Sequence, residues 1–592
     1  MLPLWTPSAE RIAAANITRF MQRVRAQFNA PTHDYASLHT WSVEFPERFW
    51  SEVASFCGLR MQQAATQILA NAQAMPGASW FVGAKLNFAE NLLWRDDDTP
   101  ALIFTNERGQ RRELSHRQLR IEVARIAAGL RALGVSSGDR VVGFLPNVPE
   151  AVIAMLATAS IGATWSSCSP DFGITGVFDR FGQIAPKVLF TADGYYYGGK
   201  TIDSLPIAAE ISARIASIEH VVVVSYLHER APIDALSKAT HFADFGDRNA
   251  PLTFTYNDFD HPLYILYSSG TTGAPKCIIH GAGGTLLQHM KEHVLHVDLR
   301  NDDRIFYFTT CGWMMWNWLV SALAVGTTVV LYDGSPLHPD PRILWRTAER
   351  ERINVFGASP RFLASSEKEN IRPNDEFDLS ALRTLLSTGS PLSPESFKYV
   401  YRDVKADVQL SSISGGTDIV ACFAQGCPTL PVYAGEIQCR ALGMKVEVFN
   451  EGGRPVYKEK GELVCTAPFP SMPIGFWNDP DEKKYRGAYF ERFAKVWCHG
   501  DYAELTSHEG IIIHGRSDAI LNPGGVRIGT AEIYRQVDQL AEVIESLAIG
   551  QDWQHDVRVV LFVRLRPGLT LDAGLTQRIR ATIRTNTTPR HV

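Results

Sequence analysis

Short apolar, β-branched runs alternate with longer amphipathic stretches along most of the chain. The short runs predict strands, and the amphipathic stretches predict helices. The clearest strands are predicted at 140–145, 263–267, 304–309, 327–332 and 354–357, and the clearest helices at 149–159 and 285–299. Because strands that alternate with helices favour parallel sheets covered on both faces, we predict an α/β fold with mostly parallel, doubly covered sheets.

The pattern changes after residue 510. Strands of a small sheet are predicted at 511–515, 548–550 and 557–566, with helices at 530–540 and 571–585. This mixture predicts a small, mobile α+β lid that follows a large N-terminal domain. We divide the chain into an N-terminal extension with the start of the large domain (1–110), the large domain (111–517) and the lid (518–592).

Composition excludes several classes of protein. A chain of 592 residues, 45% hydrophobic and 20% charged, is typical of a soluble protein with more than one domain, and its most apolar stretch, 151–165, is too short to cross a bilayer. The net charge of −5, without a long basic run, argues against nucleic-acid binding. Nine cysteines without a Cys-x-x-Cys pair indicate reduced thiols, which together with the absence of a secretory signal predicts a cytoplasmic protein.

One segment, 267–276, has the composition of a loop that binds polyphosphate. It combines two glycines, which allow close approach of the backbone to an anion, with four hydroxyls and a lysine: Gly270, Gly273, Ser268, Ser269, Thr271, Thr272 and Lys276. A Walker loop needs four residues between its glycines and a lysine directly after the second, and only two residues intervene here. Taken alone, the segment also fits a polar surface loop.

In its motifs the chain resembles the adenylate-forming enzymes, the superfamily of acyl-CoA synthetases, luciferases and peptide-synthetase adenylation domains. The resemblance covers nearly the whole chain, and its motifs occur in the family's order: 267–276, 414–418, 499–501, 515–518 and 522–533. The N-terminal segments 4–8 and 17–20 and the segment 80–91 resemble acetoacetyl-CoA synthetases in particular, with acetyl-CoA synthetases as relatives. This implies a large adenylate-forming domain with a lid that rotates about a hinge at Asp518.

The resemblance also implies roles in binding ATP, Mg²⁺ and coenzyme A. Ser268 to Lys276 would hold the β- and γ-phosphates, Asp501 would accept the ribose hydroxyls, and Arg516 would assist Asp501. Thr417 would contact the α-phosphate, and Asp418, where the family has Glu, would coordinate Mg²⁺ as a carboxylate ligand. Each also has a structural interpretation: a strand-end cap for Asp501, a surface salt bridge for Arg516 and a β-turn for 415–418.

In the lid, Arg527 matches a phosphate-contacting arginine, and Gly524 and Gly525 would admit the pantetheine arm of coenzyme A, although they also fit a hairpin turn. The family's C-terminal lysine has no counterpart before Val592, so we expect this chain to be weak in adenylation. We interpret the chain end as a truncation.

The acyl pocket indicates the substrate. Gly415 stands where acetyl-CoA synthetases have an indole, and loss of an indole leaves room for a longer acid such as acetoacetate. Candidate lining residues are Trp313, Met314, Met315 and Trp316, with Thr388, Gly389 and Ser390. Aromatic residues in a row also fit a hydrophobic core.

The predicted function is therefore ATP-dependent ligation of acetoacetate to coenzyme A through an acyl-adenylate. The alternatives are a ligase for another short or branched acid, a peptide-synthetase adenylation domain, and a non-catalytic nucleotide-binding protein. His289, His293 and His296 share one helical face, so a metal site is a further alternative to a packing helix. The sequence does not indicate an oligomeric state.

Overall fold

The computed structural model describes residues 2–268, 274–517, 520–525, 528–537, 539–554 and 556–592. An eight-stranded sheet lies at its centre. Its strands follow the spatial order Ala239–His241, His220–Val224, Val188–Ala192, Arg140–Phe144, Thr164–Cys168, Pro262–Ser268, Lys276–Gly281 and Gly475–Phe476. The first six strands are parallel to one another, and the two pairings that follow, of the sixth with the seventh and the seventh with the eighth, are antiparallel.

A seven-stranded sheet forms the second layer. Its order is Gln409–Ser412, Thr384–Ser387, Val355–Ala358, Arg304–Tyr307, Thr328–Asp333, Pro100–Asn106 and Arg111–Ser115. Only the last pair is antiparallel. All five strands predicted between residues 140 and 357 lie in these two sheets, so the prediction of mostly parallel sheets is confirmed.

Helices cover the two sheets. In the part of the chain before residue 500 they are Ala9–Ala14, Asn16–Phe28, Tyr35–Glu44, Pro46–Phe56, Phe88–Leu92, His116–Ala132, Pro149–Ser160, Ile174–Ile184, Leu205–Arg214, Ala282–Lys291, Met314–Ser321, Ile343–Arg350, Pro360–Lys368, Pro373–Glu376, Pro394–Tyr399 and Lys483–Tyr489. The helix Pro149–Ser160 is buried along all but one of its residues, which is typical of a helix held inside an α/β domain. None of the described helices is both long enough and apolar enough to span a bilayer.

Two antiparallel sheets follow in the chain. A three-stranded sheet contains Ser414–Gly416, Ala421–Gln425 and Cys439–Arg440, and a four-stranded sheet contains Val446–Phe449, Lys460–Cys465, Trp497–Leu505 and Ile511–Arg516. The strand predicted at 511–515 was assigned to the small sheet of the lid, and this assignment is wrong. Ile511–Arg516 pairs with Trp497–Leu505 instead, because a strand's partner depends on distant residues that its own pattern does not reveal.

The C-terminal elements have a small core of their own. They are the paired strands Ile520–Leu521 and Ile528–Gly529, the hairpin Val543–Trp553 with Asp556–Leu565, and the helices Thr530–Val537 and Ala573–Asn586. Their apolar faces meet in a cluster of nine buried residues: Leu521, Ile528, Ile533, Val537, Val543, Ala548, Leu575, Ile579 and Ile583. The α+β composition is as predicted. The domain boundaries and the hinge at Asp518 stay predictions, and Asp518 lies outside the described residues.

The three candidate metal-binding histidines belong to the core. The predicted helix 285–299 consists of the α-helix Ala282–Lys291 and a wider π-helical turn, Glu292–His296. Ring nitrogens of His289, His293 and His296 lie 2.5, 2.9 and 2.8 Å from backbone carbonyl oxygens. Among the described residues no group of three potential ligands surrounds a metal site. The packing-helix interpretation is the one that the structure supports.

Buried histidines predict sensitivity to acid. Burial lowers the pKa of His280 and His293 to about 3 and of His39 and His116 to about 4, against about 6.5 in an unfolded chain. Between these values the unfolded chain binds more protons, so the free energy of unfolding falls as the pH falls from about 6.5 towards 4. Each histidine contributes a slope of up to about 1.4 kcal/mol per pH unit.

Urea unfolding at pH 7, 6 and 5 measures this slope. Replacement of the exposed His33 by Gln serves as the control and leaves the slope unchanged. An unfolding free energy that is constant from pH 7 to pH 5 would contradict the expectation.

Candidate active site

A cavity of about 530 Å³ opens where strands of both large sheets end. Ser268 and Tyr307 are the last residues of their strands, and Thr388 follows directly after Thr384–Ser387. All three lie at the carboxyl ends of strands, where α/β sheets commonly bind ligands.

Eight of the eleven predicted site residues that the structure describes line this cavity. They are Ser268, Trp313, Gly389, Gly415, Thr417, Asp501, Arg516 and Gly525, and Met314, Met315, Thr388 and Ser390 line it as well. Trp316 does not, which corrects the expectation for that residue: it is fully buried, and its indole N–H donates to Asn147 Oδ1 at 3.0 Å, as a core residue does. Predicted residues outside the described part of the chain are Ser269, Gly270, Thr271, Thr272, Gly273, Asp518 and Arg527.

Asp418 collects several donors on one carboxylate oxygen. Its Oδ1 lies 2.5 Å from the hydroxyl of Tyr489, 3.2 Å from Lys276 Nζ and 3.4 Å from Ser268 Oγ. The carboxylate is 3% exposed, and a buried charge of this kind is stable only when donors or cations surround it. Lys276 also lies above the Tyr489 ring, 5.0 Å from its centroid. The strand ends around residues 268 and 276 are thereby fixed to the turn that carries Thr417.

Asp501 and Arg516 are cross-strand partners in the four-stranded sheet. Arg516 Nη1 donates to Asp501 Oδ1 at 2.9 Å and contacts the carbonyl oxygen of His499 at 3.3 Å. Asp501 Oδ2 lies 3.7 Å from His499 Nε2. Since residues directly opposite each other on antiparallel strands meet side by side, the sheet register itself brings the pair together at the cavity wall.

Strand packing, as well as substrate size, explains why residue 415 is a glycine. The register between Ser414–Gly416 and Ala421–Gln425 shifts after Ser414, which brings Gly415 close to the neighbouring strand. A Cβ at Gly415 would lie 2.0 Å from the carbonyl oxygen of Ala421, so no other residue fits without moving the backbone. The missing side chain is therefore required by strand pairing, whether or not it also leaves room for an acyl group.

Two glycine backbones meet where the C-terminal unit reaches the cavity. Gly389 and Gly525 both have a positive φ, and a Cβ at Gly525 would lie 2.8 Å from the carbonyl carbon of Gly389. Asn522 Nδ2 donates to Gly389 O at 2.8 Å. Gly524 does not line the cavity, and its N–H donates to Asp556 Oδ1 at 2.8 Å. The close approach of the two backbones explains why residues 389 and 525 are glycines, but it does not involve Gly524.

Two contributors to the site carried no signal in the sequence. Tyr489 ends the helix Lys483–Tyr489 and belongs to none of the motifs; its ring stacks on Trp497 at 3.8 Å, and its hydroxyl reaches Asp418. Arg180 lies on the helix Ile174–Ile184 and lines the cavity. Both contacts join segments distant in the chain, so only the folded structure identifies them.

Asp418 and Ser268 offer oxygen atoms that a hard cation could bind, although Lys276 Nζ also lies 3.2 Å from Asp418 Oδ1. A carboxylate oxygen and the neighbouring hydroxyl of Ser268 are of the type that Mg²⁺ prefers. Since the described residues contain no group of three such ligands, a cation here would take its other oxygens from phosphate and water, as is usual for Mg²⁺.

Comparisons with known proteins agree with this geometry. Residues 92–473 match the family model described as AMP-binding enzyme, and residues 35–92 match the acetyl-coenzyme A synthetase N-terminus. The first match covers more than half of the chain.

Relatives match over the full chain. The acetoacetyl-coenzyme A synthetase of Rhizobium meliloti (strain 1021) is 53% identical over 100% of this chain and 91% of its own length. The solved structure of acetoacetyl-CoA synthetase from Streptomyces lividans has a TM-score of 0.85 and 45% identity, covering 100% of this chain and 91% of the other. A malonamoyl-CoA synthetase of Penicillium aethiopicum is 40% identical over 100% of this chain and 85% of its own length.

Replacement of Tyr489 by Phe should destabilise the protein. It removes a hydrogen bond to a buried charge, which costs about 1–3 kcal/mol of unfolding free energy. Tyr485 provides the matched control: it is equally buried in the same aromatic cluster, but its hydroxyl has no hydrogen-bond partner among the described residues. Urea unfolding of Tyr489→Phe and Tyr485→Phe measures the difference, and equal losses would refute the role assigned to the Tyr489 hydroxyl.

Replacement of Gly525 by Ala should detach the C-terminal unit from Gly389. The added methyl group would collide with backbone atoms that cannot rotate away. Gly568 is the matched control, because it also has a positive φ but has no atom within 4 Å of its Cβ position, so Ala there costs only about 1 kcal/mol of backbone strain. Hydrogen exchange at 387–391 should rise in Gly525→Ala and not in Gly568→Ala. Unchanged exchange in both variants would count against the close packing.

Proposed function

Because the chain belongs to the AMP-binding enzyme family and, within it, to the acetoacetyl-CoA synthetases, we propose that it ligates acetoacetate to coenzyme A with ATP as the energy source. The observation that carries the proposal is that residues from five separate motifs line one cavity at the strand ends. The described residues give no support to the alternative of a non-catalytic scaffold, since the Asp501–Arg516 pair and the Asp418 cluster are both formed.

The reaction has two steps. A carboxylate oxygen of acetoacetate attacks the α-phosphorus of ATP, the bond to the pyrophosphate oxygen breaks, and pyrophosphate leaves. The thiolate of coenzyme A then attacks the acyl carbon of the adenylate, the bond to the phosphate oxygen breaks, and AMP leaves. Both steps depend chiefly on how the reactants are positioned, because much of the rate enhancement comes from holding the reacting atoms in line.

The residues divide this task as follows. Asp501, held by Arg516, accepts the two ribose hydroxyls and fixes the nucleoside. Ser268 and Lys276 bind phosphate oxygens, and Thr417 donates to the α-phosphate. Asp418 holds Mg²⁺, which supplies positive charge next to the phosphates when it is bound. The proposed roles of the loop 269–273 and of Arg527 rest on the motif resemblance alone.

The acid lies at the end of the cavity lined by Trp313, Met314 and Gly415. Coenzyme A enters past Gly525, and the C-terminal unit turns about Asp518 between the two steps. We place the protein in the cytoplasm, which all nine free cysteines support.

The substrate is tested by the rate of thioester formation with acetoacetate, acetate, butyrate, isobutyrate and malonamate. We expect the highest kcat/KM with acetoacetate, since one missing or added methylene in an apolar pocket changes it by about 10- to 200-fold. Malonamate is included because it has the size of acetoacetate and a relative is named for its thioester. If another acid has an equal or higher kcat/KM, acetoacetate is not the preferred substrate.

Replacement of Asp501 by Asn should weaken MgATP binding by roughly 10- to 100-fold, because it removes a charged acceptor of two hydroxyls. Glu504→Gln is the control: it lies on the same strand, pairs with His514 and does not line the cavity. Isothermal titration calorimetry measures both. If both variants bind MgATP like wild type, the ribose role of Asp501 is refuted, and if wild-type protein binds no MgATP, the proposed reaction is refuted with it.

A further inference from the structure

Arg180 is one of two cations in the wall of the cavity. Among the described lining residues the charged ones are Arg180, Arg516 and Asp501. Arg516 donates to Asp501 at 2.9 Å, so these two charges compensate each other. Unlike Arg516, Arg180 therefore has no carboxylate partner among the described residues that line the cavity.

The guanidinium of Arg180 is held in place by its surroundings. It is 7% exposed, its Cζ lies 4.5 Å from the centroid of the Phe172 ring and 5.9 Å from that of Tyr267, and Nη1 donates to Gly176 O at 2.8 Å. Tyr267 directly precedes Ser268, so Arg180 lies beside the strand end that leads into the proposed phosphate loop. Flat packing between aromatic rings restricts the guanidinium without using all of its five N–H groups.

Among the described residues, the carboxylate nearest to Arg180 comes from the C-terminal unit. Glu532 lies in the first turn of the helix Thr530–Val537 and is 4% exposed. Its Oε2 is 3.7 Å from Arg180 Nη2 and 3.4 Å from His591 Nε2. At 3.7 Å the pair attracts by charge but is longer than a charge-assisted hydrogen bond, which is about 2.7–2.9 Å.

The contact belongs to a wider interface. Gly173, one residue before the Arg180 helix, donates its N–H to Thr587 O at 2.9 Å, and Arg590 Cζ lies 4.2 Å from the ring centroid of Trp313 in the cavity wall. The helix Ile174–Ile184 and its preceding loop thus connect the cavity to the C-terminal unit.

We propose that Arg180 is a substrate-binding residue whose guanidinium exchanges Glu532 for an oxyanion of the ligand. The inference rests on the proposed function, which places phosphate and carboxylate oxygens in this cavity. For Arg180, a contact at 3.7 Å compensates the desolvation of the guanidinium poorly, whereas an oxyanion that accepts two of its N–H bonds compensates it well. Ligand binding then weakens the Arg180–Glu532 contact and loosens the C-terminal unit.

Calorimetry on three variants tests the exchange. MgATP, magnesium pyrophosphate and acetoacetate are titrated separately into wild type, Arg180→Met, Arg180→Lys and Glu532→Gln. We expect Arg180→Met to raise the Kd of at least one ligand by roughly 10- to 100-fold, with partial recovery in Arg180→Lys. Weakened pyrophosphate binding identifies phosphate as the oxyanion, and weakened acetoacetate binding identifies the carboxylate.

The sign of the Glu532→Gln effect separates exchange from a structural role. If Glu532 competes with the ligand, Glu532→Gln lowers the Kd of the ligand whose binding Arg180→Met weakens. The double variant, Arg180→Met with Glu532→Gln, then binds that ligand as Arg180→Met does. Hydrogen exchange at 530–537 should also rise when ligand binds to wild type and stay constant in Arg180→Lys.

Two results would overturn the inference. One is unchanged affinity for all three ligands in Arg180→Met or, should that variant not fold, in Arg180→Lys. The other is a higher Kd in Glu532→Gln. Wild-type binding of MgATP with either result leaves the proposed function intact, whereas wild-type protein that binds none of the ligands refutes both.

Discussion

The buried carboxylate of Asp418 is the interaction on which the site depends. Ser268 and Lys276 come from the eight-stranded sheet, Tyr489 from a helix and Asp418 from the turn of a three-stranded sheet. A charge that is 3% exposed requires these donors, so the three units cannot separate without a large cost. The same contacts place Thr417 and the strand end at Ser268 on one side of the cavity, where the phosphates of a nucleotide are proposed to bind.

The nucleotide proposed to bind in the cavity is a polyanion, and the chain has a net charge of −5, so local groups would have to hold it. The wall presents two arginines and one carboxylate among its described residues, and strand register sets one of the pairs. Such a site attracts anions through a few directed donors, since long-range attraction to an acidic protein is unfavourable. This is consistent with a nucleotide that carries its own Mg²⁺.

The sequence predicted the parts of the fold that depend on local periodicity. Strands such as Arg140–Phe144 and the helix Pro149–Ser160 follow from apolar patterns, and the motifs around Asp501 and Thr417 follow from family resemblance. Strand pairing was harder to predict from the sequence, because it depends on residues far away in the chain. The wrong assignment of Ile511–Arg516 is an example. Tyr489 and Arg180 could not be predicted for the same reason, and the packing of Trp316 shows that an aromatic run does not reveal which ring faces a cavity.

The glycine contact at Gly389 and Gly525 affects the energetics of any movement there. Interlocked side chains must change rotamers before two surfaces can part, and each such change adds to the barrier. At Gly389 and Gly525 the two backbones lie too close together to admit a Cβ, so no side chains interlock there, and Asn522 donates an amide hydrogen bond beside them. The rotation proposed for the C-terminal unit would therefore require no repacking of side chains at this point, and resistance to it would come from the charged contacts elsewhere in the interface.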